Sequence, residues 1–348
     1  MGCVRNDEPP RDGGPVQLLK AIMLFLFIVC GLVLLLVGGD LFVRGAVSFA
    51  QRLGVSPLLI GLTLVGFGTS TPELVTSLQA AMAGSPGVAT GNVVGSNIAN
   101  ILLILGLAAI LRPVIVDTGA LKRDGLVLAA SSLLCLAIVL SGTLDRISGL
   151  VFVTGLVAYI GFAIWQERRA PTPASVTINM PEEAVPSAQT PAQTPASKEN
   201  ALLAAIYTIS GLVMVIGGAS LLIDGAVGIA TGFGISETII GLSIVAVGTS
   251  LPELVTSVIA AIRGQGDVAF GNIVGSNIYN VLGILGVTAL VQPIPVPREI
   301  MAVDIWVMLA ATALLLLLGR TGFRITRVEG AIMLAGYVAY TTWLALQI

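Results

Sequence analysis

Glu73 stands alone: between Val55 and Leu111 no other Asp, Glu, Lys or Arg occurs. An ionisable group at membrane depth costs at least about 2.5–3.5 kcal/mol on insertion scales, so something must offset it. Oxygen-bearing side chains surround it at helical spacing, Thr69 and Ser70 four and three residues before, Thr76 and Ser77 three and four after, which puts them on one stripe. The following run adds Asn92, Ser96 and Asn100 at successive steps of four. The whole set recurs as Thr249, Ser250, Glu253, Thr256 and Ser257, then Asn272, Ser276 and Asn280. Two carboxylates among hydroxyl, amide and main-chain oxygens, with no thiol or imidazole, form a donor set for a hard cation such as Ca²⁺, which takes six to eight oxygens.

Pro72 reinforces this reading. Proline lacks an N–H and clashes with the carbonyl four residues back, here Gly68, so the helix is expected to break just before Glu73. Carbonyls freed inside a lipid-embedded protein need a partner. A cation satisfies carbonyls and carboxylate together, and Pro252 repeats the device before Glu253. Small residues and Ser, Thr or Asn at these intervals also pack membrane helices. For Gly91, Gly95, Asn92 and Asn272 both packing and direct ligation stay open. Helix packing gives no reason for Glu73 or Glu253.

The elements that must position these groups come from a duplication. Residues 61–113 and 241–293 align at an offset of 180 with 31 of 53 positions identical. With 55% hydrophobic residues, 10% charged and a mean hydropathy of +0.98, the chain is far more apolar than a soluble domain. Spans of about 20 apolar residues are expected at 17–46, 56–83, 87–111, 123–142, 145–166, 201–231, 236–262, 267–291, 301–319 and 326–346. The expected class is an all-α integral membrane protein of ten transmembrane helices with broken helices at the midplane.

Residues 168–200 change abruptly to a Pro-, Ala- and Thr-rich composition that reads as a disordered linker. It separates a first five-helix repeat, 17–167, from a second, 201–348, and leaves 1–16 as an N-terminal tail. Five crossings per half force the second half to enter from the opposite side, so the repeats are inverted, as in many secondary transporters. On the side of the termini lie Arg5, Arg11, Lys20, Arg146 and Arg298; the other 12 of the 17 Lys and Arg residues fall on the linker side. The positive-inside rule then puts the linker in the cytoplasm and both termini outside.

Other features exclude more than they propose. A net charge of −2 with scattered basic residues gives no handle for nucleic acid. Cys3, Cys30 and Cys135 have no disulfide or zinc spacing and read as small packing residues. The chain has no histidine, so a proton relay would need carboxylates. The first apolar run, from near Val16, is too long for a signal peptide and is expected to be retained. MGCVRN lacks the Ser or Thr of a myristoylation signal, having Asn6 instead. Asp40 and Arg44, four apart, are expected to pair on their helix; Asp224, Asp267, Asp304 and Glu329 read as charges at span ends.

At these residues the chain resembles the calcium/cation antiporter superfamily, whose alpha-repeats carry G-x-G-T-S-x-P-E and G-N-x-x-G-S-N. Gly66 to Glu73 matches fully; Ala246 to Glu253 has Ala for the first Gly; Gly91–Asn97 and Gly271–Asn277 both match. The resemblance covers nearly all ten spans and is closest to a prokaryotic Na⁺/Ca²⁺ exchanger of the cytoplasmic membrane. It implies Ca²⁺ and Na⁺ as transported ions, alternating access, no cofactor and no catalysis. By motif position it implies Glu73 and Glu253 as bridging carboxylates, Thr69, Ser70, Thr249 and Ser250 as flanking ligands, and main-chain carbonyls from Gly66 and Ala246. Ser96, Asn100, Ser276 and Asn280 match further ligand positions. Some relatives carry aspartate where this chain has Asn280, which leaves two formal negative charges here. A proton-coupled or K⁺-dependent exchanger is the near alternative. An intramembrane enzyme using Asp40 and Asp304 is the reading from another class, weakened by their place near span ends.

Overall fold

Proline opens these helices and glycine ends them. Pro15, Pro57 and Pro86 each begin a helix, where a missing N–H costs nothing. Gly54, Gly84, Gly142, Gly264 and Gly322 follow helix ends at φ from 65° to 84°, a region where a Cβ is strained. The structure is a computed structural model that describes residues 15–169, 201–233 and 246–346. The order is α1 (Pro15–Leu53), α2 (Pro57–Thr69), α3 (Thr71–Met82), α4 (Pro86–Leu111), β1 (Val114–Ile115), α5 (Thr118–Leu140), β2 (Thr143–Leu144) and α6 (Arg146–Arg169). After residues 170–200 come α7 (Ala201–Gly232), α8 (Ala246–Thr249), α9 (Leu251–Ile262), α10 (Gly266–Val291), β3 (Ile294–Pro295), α11 (Ile300–Arg320), β4 (Arg324–Ile325) and α12 (Arg327–Ala345).

Among the described residues seven helices are long and apolar enough to cross a membrane, or eight when α2 and α3, bent by 43° at Ser70, count as one span. Of the expected span 236–262 only 246 onward is described. The helix α12 covers the tenth expected segment but is not among the seven, its first turn holding Arg327 and Glu329. The expected linker lies outside the described residues from 170 on, as does the N-terminal tail to residue 14.

The two longest helices pack on each other in opposite directions. A Cβ on Gly31 would sit 2.7 Å from Gly218 O, one on Gly211 2.8 Å from Gly38 O, and one on Gly45 2.4 Å from Thr208 N. Gly31, Gly38 and Gly45 on α1, like Gly211, Gly218 and Gly225 on α7, recur every seven residues, two turns apart, so a line of missing side chains lets the backbones touch. The two lie outermost, with 17% and 22% of their apolar windows buried, against 78% for α4 and 83% for α10, which form the centre. Two-residue strands pair across the halves, β1 with β4 and β2 with β3.

Asp40 pairs with Arg44 at 3.0 Å, as its spacing implies, and also with Arg263 at the end of α9. Asp304 instead accepts from Tyr340 OH at 2.8 Å, and the buried Asp124 accepts from Tyr159 OH at 3.0 Å and from Arg123. Asp145, between α5 and α6, takes the Ser148 hydroxyl at 2.6 Å and its N–H at 2.8 Å, which hold its carboxyl below the usual range. Cys135 is buried as expected, but Cys30 is exposed on α1, whose outer face has no neighbour among the described residues; Cys3 lies outside them.

Candidate functional site

Both copies break at the same serine. Ser70 leaves helical geometry at φ −82°, ψ 10° between α2 and α3, and Ser250 does so at φ −89°, ψ 8° between α8 and α9. The proline after each serine sits in the first turn of the next helix, with Glu73 or Glu253 beside it. A carboxylate there faces the positive end of the helix dipole. The backbone break and the acid are thus one local device, placed twice.

The two devices then cross. Ser70 Oγ donates to Glu253 Oε1 at 2.8 Å, and Ser250 Oγ donates to Glu73 Oε1 at 3.1 Å. Each half therefore holds the other half's carboxylate. Ser96 Oγ lies 3.4 Å from Ser250 Oγ, which brings α4 into the cluster. Thr69 Oγ1 donates to Val65 O at 3.0 Å and lies 3.3 Å from Asn272 Oδ1. Gly66 O, implied as a main-chain ligand, accepts from Ser70 N–H and from Ser276 Oγ, both at 3.2 Å. Thr249 is buried at the end of α8, which Ala246 opens.

Asn92 and Asn272 turn out to link helices through their amide nitrogens. Asn92 Nδ2 donates to Ser77 Oγ at 2.9 Å and Glu73 O at 3.2 Å; Asn272 Nδ2 donates to Ser257 Oγ at 2.8 Å and Glu253 O at 3.5 Å. Each asparagine ties its helix to the one bearing the carboxylate. Asn100 and Asn280 both fall in π-helical turns, Ala99–Leu105 and Asn280–Leu285, which the regular spacing of four did not foresee. Asn97 was also missed as a contact residue: Asn280 Nδ2 donates to its Oδ1 at 3.0 Å. The signal for it was the last letter of G-S-N, which lies off the stripe of Asn92, Ser96 and Asn100.

Electrostatically the centre is acceptor-rich. Glu73 and Glu253 are each 1% exposed, and among the described residues neither pairs with Lys or Arg. Glu73 Oε2, Glu253 Oε2, Asn100 Oδ1 and Asn280 Oδ1 are buried oxygens with no hydrogen-bond donor among the described residues. A buried acceptor left unmatched is costly, and a buried charge more so. Such a cluster suits a cation better than a neutral or anionic ligand.

The family profile described as sodium/calcium exchanger protein matches residues 23–165 and again 203–346, once per half. The chain belongs to the sodium/calcium exchanger family. MaX1, a sodium/calcium exchanger of Methanosarcina acetivorans, is 36% identical over 91% of this chain and 97% of its own. CaxA of Alkalimonas amylolytica, an antiporter by name, is 39% identical over 90% of this chain and 96% of its own. A structure of the sodium-calcium exchanger NCX_Mj, soaked with Na⁺ and Sr²⁺, superposes with a TM-score of 0.78 at 33% identity, covering 92% of this chain and 98% of that one. As a member of this exchanger family the chain is a multi-pass membrane antiporter whose substrates are inorganic cations.

Proposed function

We propose that this exchanger moves Ca²⁺ against Na⁺ by alternating access at a single site formed by Glu73 and Glu253, within ten spans arranged as two inverted halves. The observation that carries the site is the reciprocal pairing of Ser70 with Glu253 and Ser250 with Glu73 around carboxylate oxygens that have no donor among the described residues. Thr69, Thr249, Ser96, Ser276, Asn100 and Asn280, with the carbonyls of Gly66 and Ala246, complete the oxygen set. Two negative charges balance one Ca²⁺ or two Na⁺. Either loaded form is therefore tolerable at membrane depth, whereas an empty site leaves two buried charges uncompensated. That difference suppresses return of the empty carrier and couples the fluxes.

Inversion of the halves is supported by the antiparallel contact of α1 with α7, which occupy equivalent places in the duplication. It is supported again by the strands: β1 meets β4 and β2 meets β3, so connections expected on one side of the membrane pair only with each other. Both carboxylates are sealed in this structure, so exchange requires an opening. The outermost pair, α1 and α7, is the least buried of the described spans, and its movement across the site is the proposed gating step. The prokaryotic cytoplasmic membrane, with the linker inside, is the proposed location.

The test is ⁴⁵Ca²⁺ uptake into proteoliposomes under an imposed Na⁺, H⁺ or K⁺ gradient, applied one at a time. Accumulation driven by the Na⁺ gradient alone is expected. Accumulation that follows the H⁺ gradient, or that requires K⁺, would replace the Na⁺ assignment with one of those couplings.

A further inference from the structure

We propose that Asn97 is a positioning residue, which fixes the Asn280 amide so that its oxygen rather than its nitrogen faces the transported cation. This rests on the reading of Asn280 as an ion ligand. An asparagine side chain is nearly symmetric in shape, yet only its oxygen can bind a cation, and its NH₂ end offers donors alone. A site that uses such a ligand must hold the amide one way round.

The structure contains a chain of bonds that does this. Asn280 Nδ2 donates to Asn97 Oδ1 at 3.0 Å, and Asn97 Nδ2 donates to the main-chain oxygen of Asn277 at 3.4 Å, with Met308 Sδ at 3.5 Å. A main-chain carbonyl only accepts, so the direction of the chain is set at that end. Asn277 O requires the NH₂ of Asn97, which turns Asn97 Oδ1 toward Asn280 and so requires the NH₂ of Asn280. Asn280 Oδ1 is thereby left without a donor among the described residues. All three residues are at most 2% exposed, so water does not compete for these bonds.

The duplication provides a built-in control. Asn277 is the counterpart of Asn97, but its side chain donates back to Ile273 O at 2.7 Å within its own helix, and its Oδ1 has no donor among the described residues. It makes no hydrogen bond to Asn100. The equivalent asparagines thus differ in role: Asn97 orients a ligand through its side chain, whereas Asn277 serves Asn97 through its backbone. A mere helix-packing role for Asn97 predicts no dependence on what stands at 280.

A double-mutant cycle on the full chain in proteoliposomes separates the two, read as the KM for Ca²⁺ and kcat of Na⁺-driven ⁴⁵Ca²⁺ uptake. Asn97→Leu is expected to raise KM about tenfold with kcat within about threefold, yet to change KM less than about twofold in an Asn280→Ala background. Asn280→Ser gives a second background that keeps an oxygen but has no NH₂ end, with the same expectation. Asn97→Ser takes the place of Asn97→Leu should the latter fail to insert. Asn277→Leu, which leaves the backbone carbonyl in place, is expected to stay within about twofold of the parent. Equal effects of Asn97→Leu in both backgrounds, or an unchanged KM in the parent, overturn the orienting role while leaving the ligand reading intact. An unchanged KM in Asn280→Ala rejects Asn280 as a ligand and the proposal with it.

Discussion

Exchange of hydroxyls between halves makes each carboxylate answer to the opposite repeat. Ser70 serves Glu253, and Ser250 serves Glu73. A hydrogen bond to a charged group contributes about 1.5–3 kcal/mol, so Ser70→Ala and Ser250→Ala are each expected to weaken Ca²⁺ by roughly tenfold or more, to similar extents. The apparent KM in ⁴⁵Ca²⁺ uptake measures both; a silent member of the pair would mean that the reciprocity does not serve ion binding. Spacing alone places Ser70 on the stripe of its own Glu73, because three residues is close to one helical turn. The crossing was invisible there: it depends on two broken helices meeting, which no one-dimensional pattern encodes. Asn92 and Asn272 were open between ligation and packing for the same reason, and only their bonds to Ser77 and Ser257 decide for linking helices through the nitrogens.

At the scale of elements, close approach of backbones holds the scaffold. A Cβ on Gly275 would lie 2.2 Å from Leu62 O, and one on Gly211 2.4 Å from Phe42 N, both main-chain atoms that cannot rotate away. Gly275→Ala is expected to destabilise the fold by about 1–3 kcal/mol or more, seen as a lowered thermal midpoint in detergent, because α10 must move off α2. Gly211→Ala should instead separate α1 from α7 and slow transport more than it lowers the midpoint, since that pair lies outermost. Equal midpoints for Gly275→Ala and the parent would show that the contact is looser than drawn. Most helix bounds were legible to within a few residues, as where 201–231 became Ala201–Gly232, since apolar length and flanking Pro and Gly set them, but the first helix runs on from the expected 46 to Leu53. The π-helical turns at Asn100 and Asn280 were not, because a stripe drawn every four residues assumes the regular period. The seven-residue glycine spacing was present in the sequence, but its meaning appears only once the two helices lie side by side.

For the whole molecule, the 180-residue offset and the uneven distribution of Lys and Arg carry the proposed topology, and both are properties of sequence alone. Ser187→Cys, in a chain whose three native cysteines are replaced, is expected to react with an impermeant maleimide in inside-out vesicles only. Reaction in right-side-out vesicles would invert the orientation. The central proposal is that one cation is shared between a carboxylate from each half. Equilibrium ⁴⁵Ca²⁺ binding to the purified protein, with Na⁺ as competitor, tests this directly on the parent, Glu73→Gln and Glu253→Gln. One Ca²⁺ per chain, displaced by Na⁺, is expected for the parent, and a loss of about 100-fold or more in affinity for either variant alone. Parent-like Ca²⁺ affinity in either single variant would contradict a site built from both.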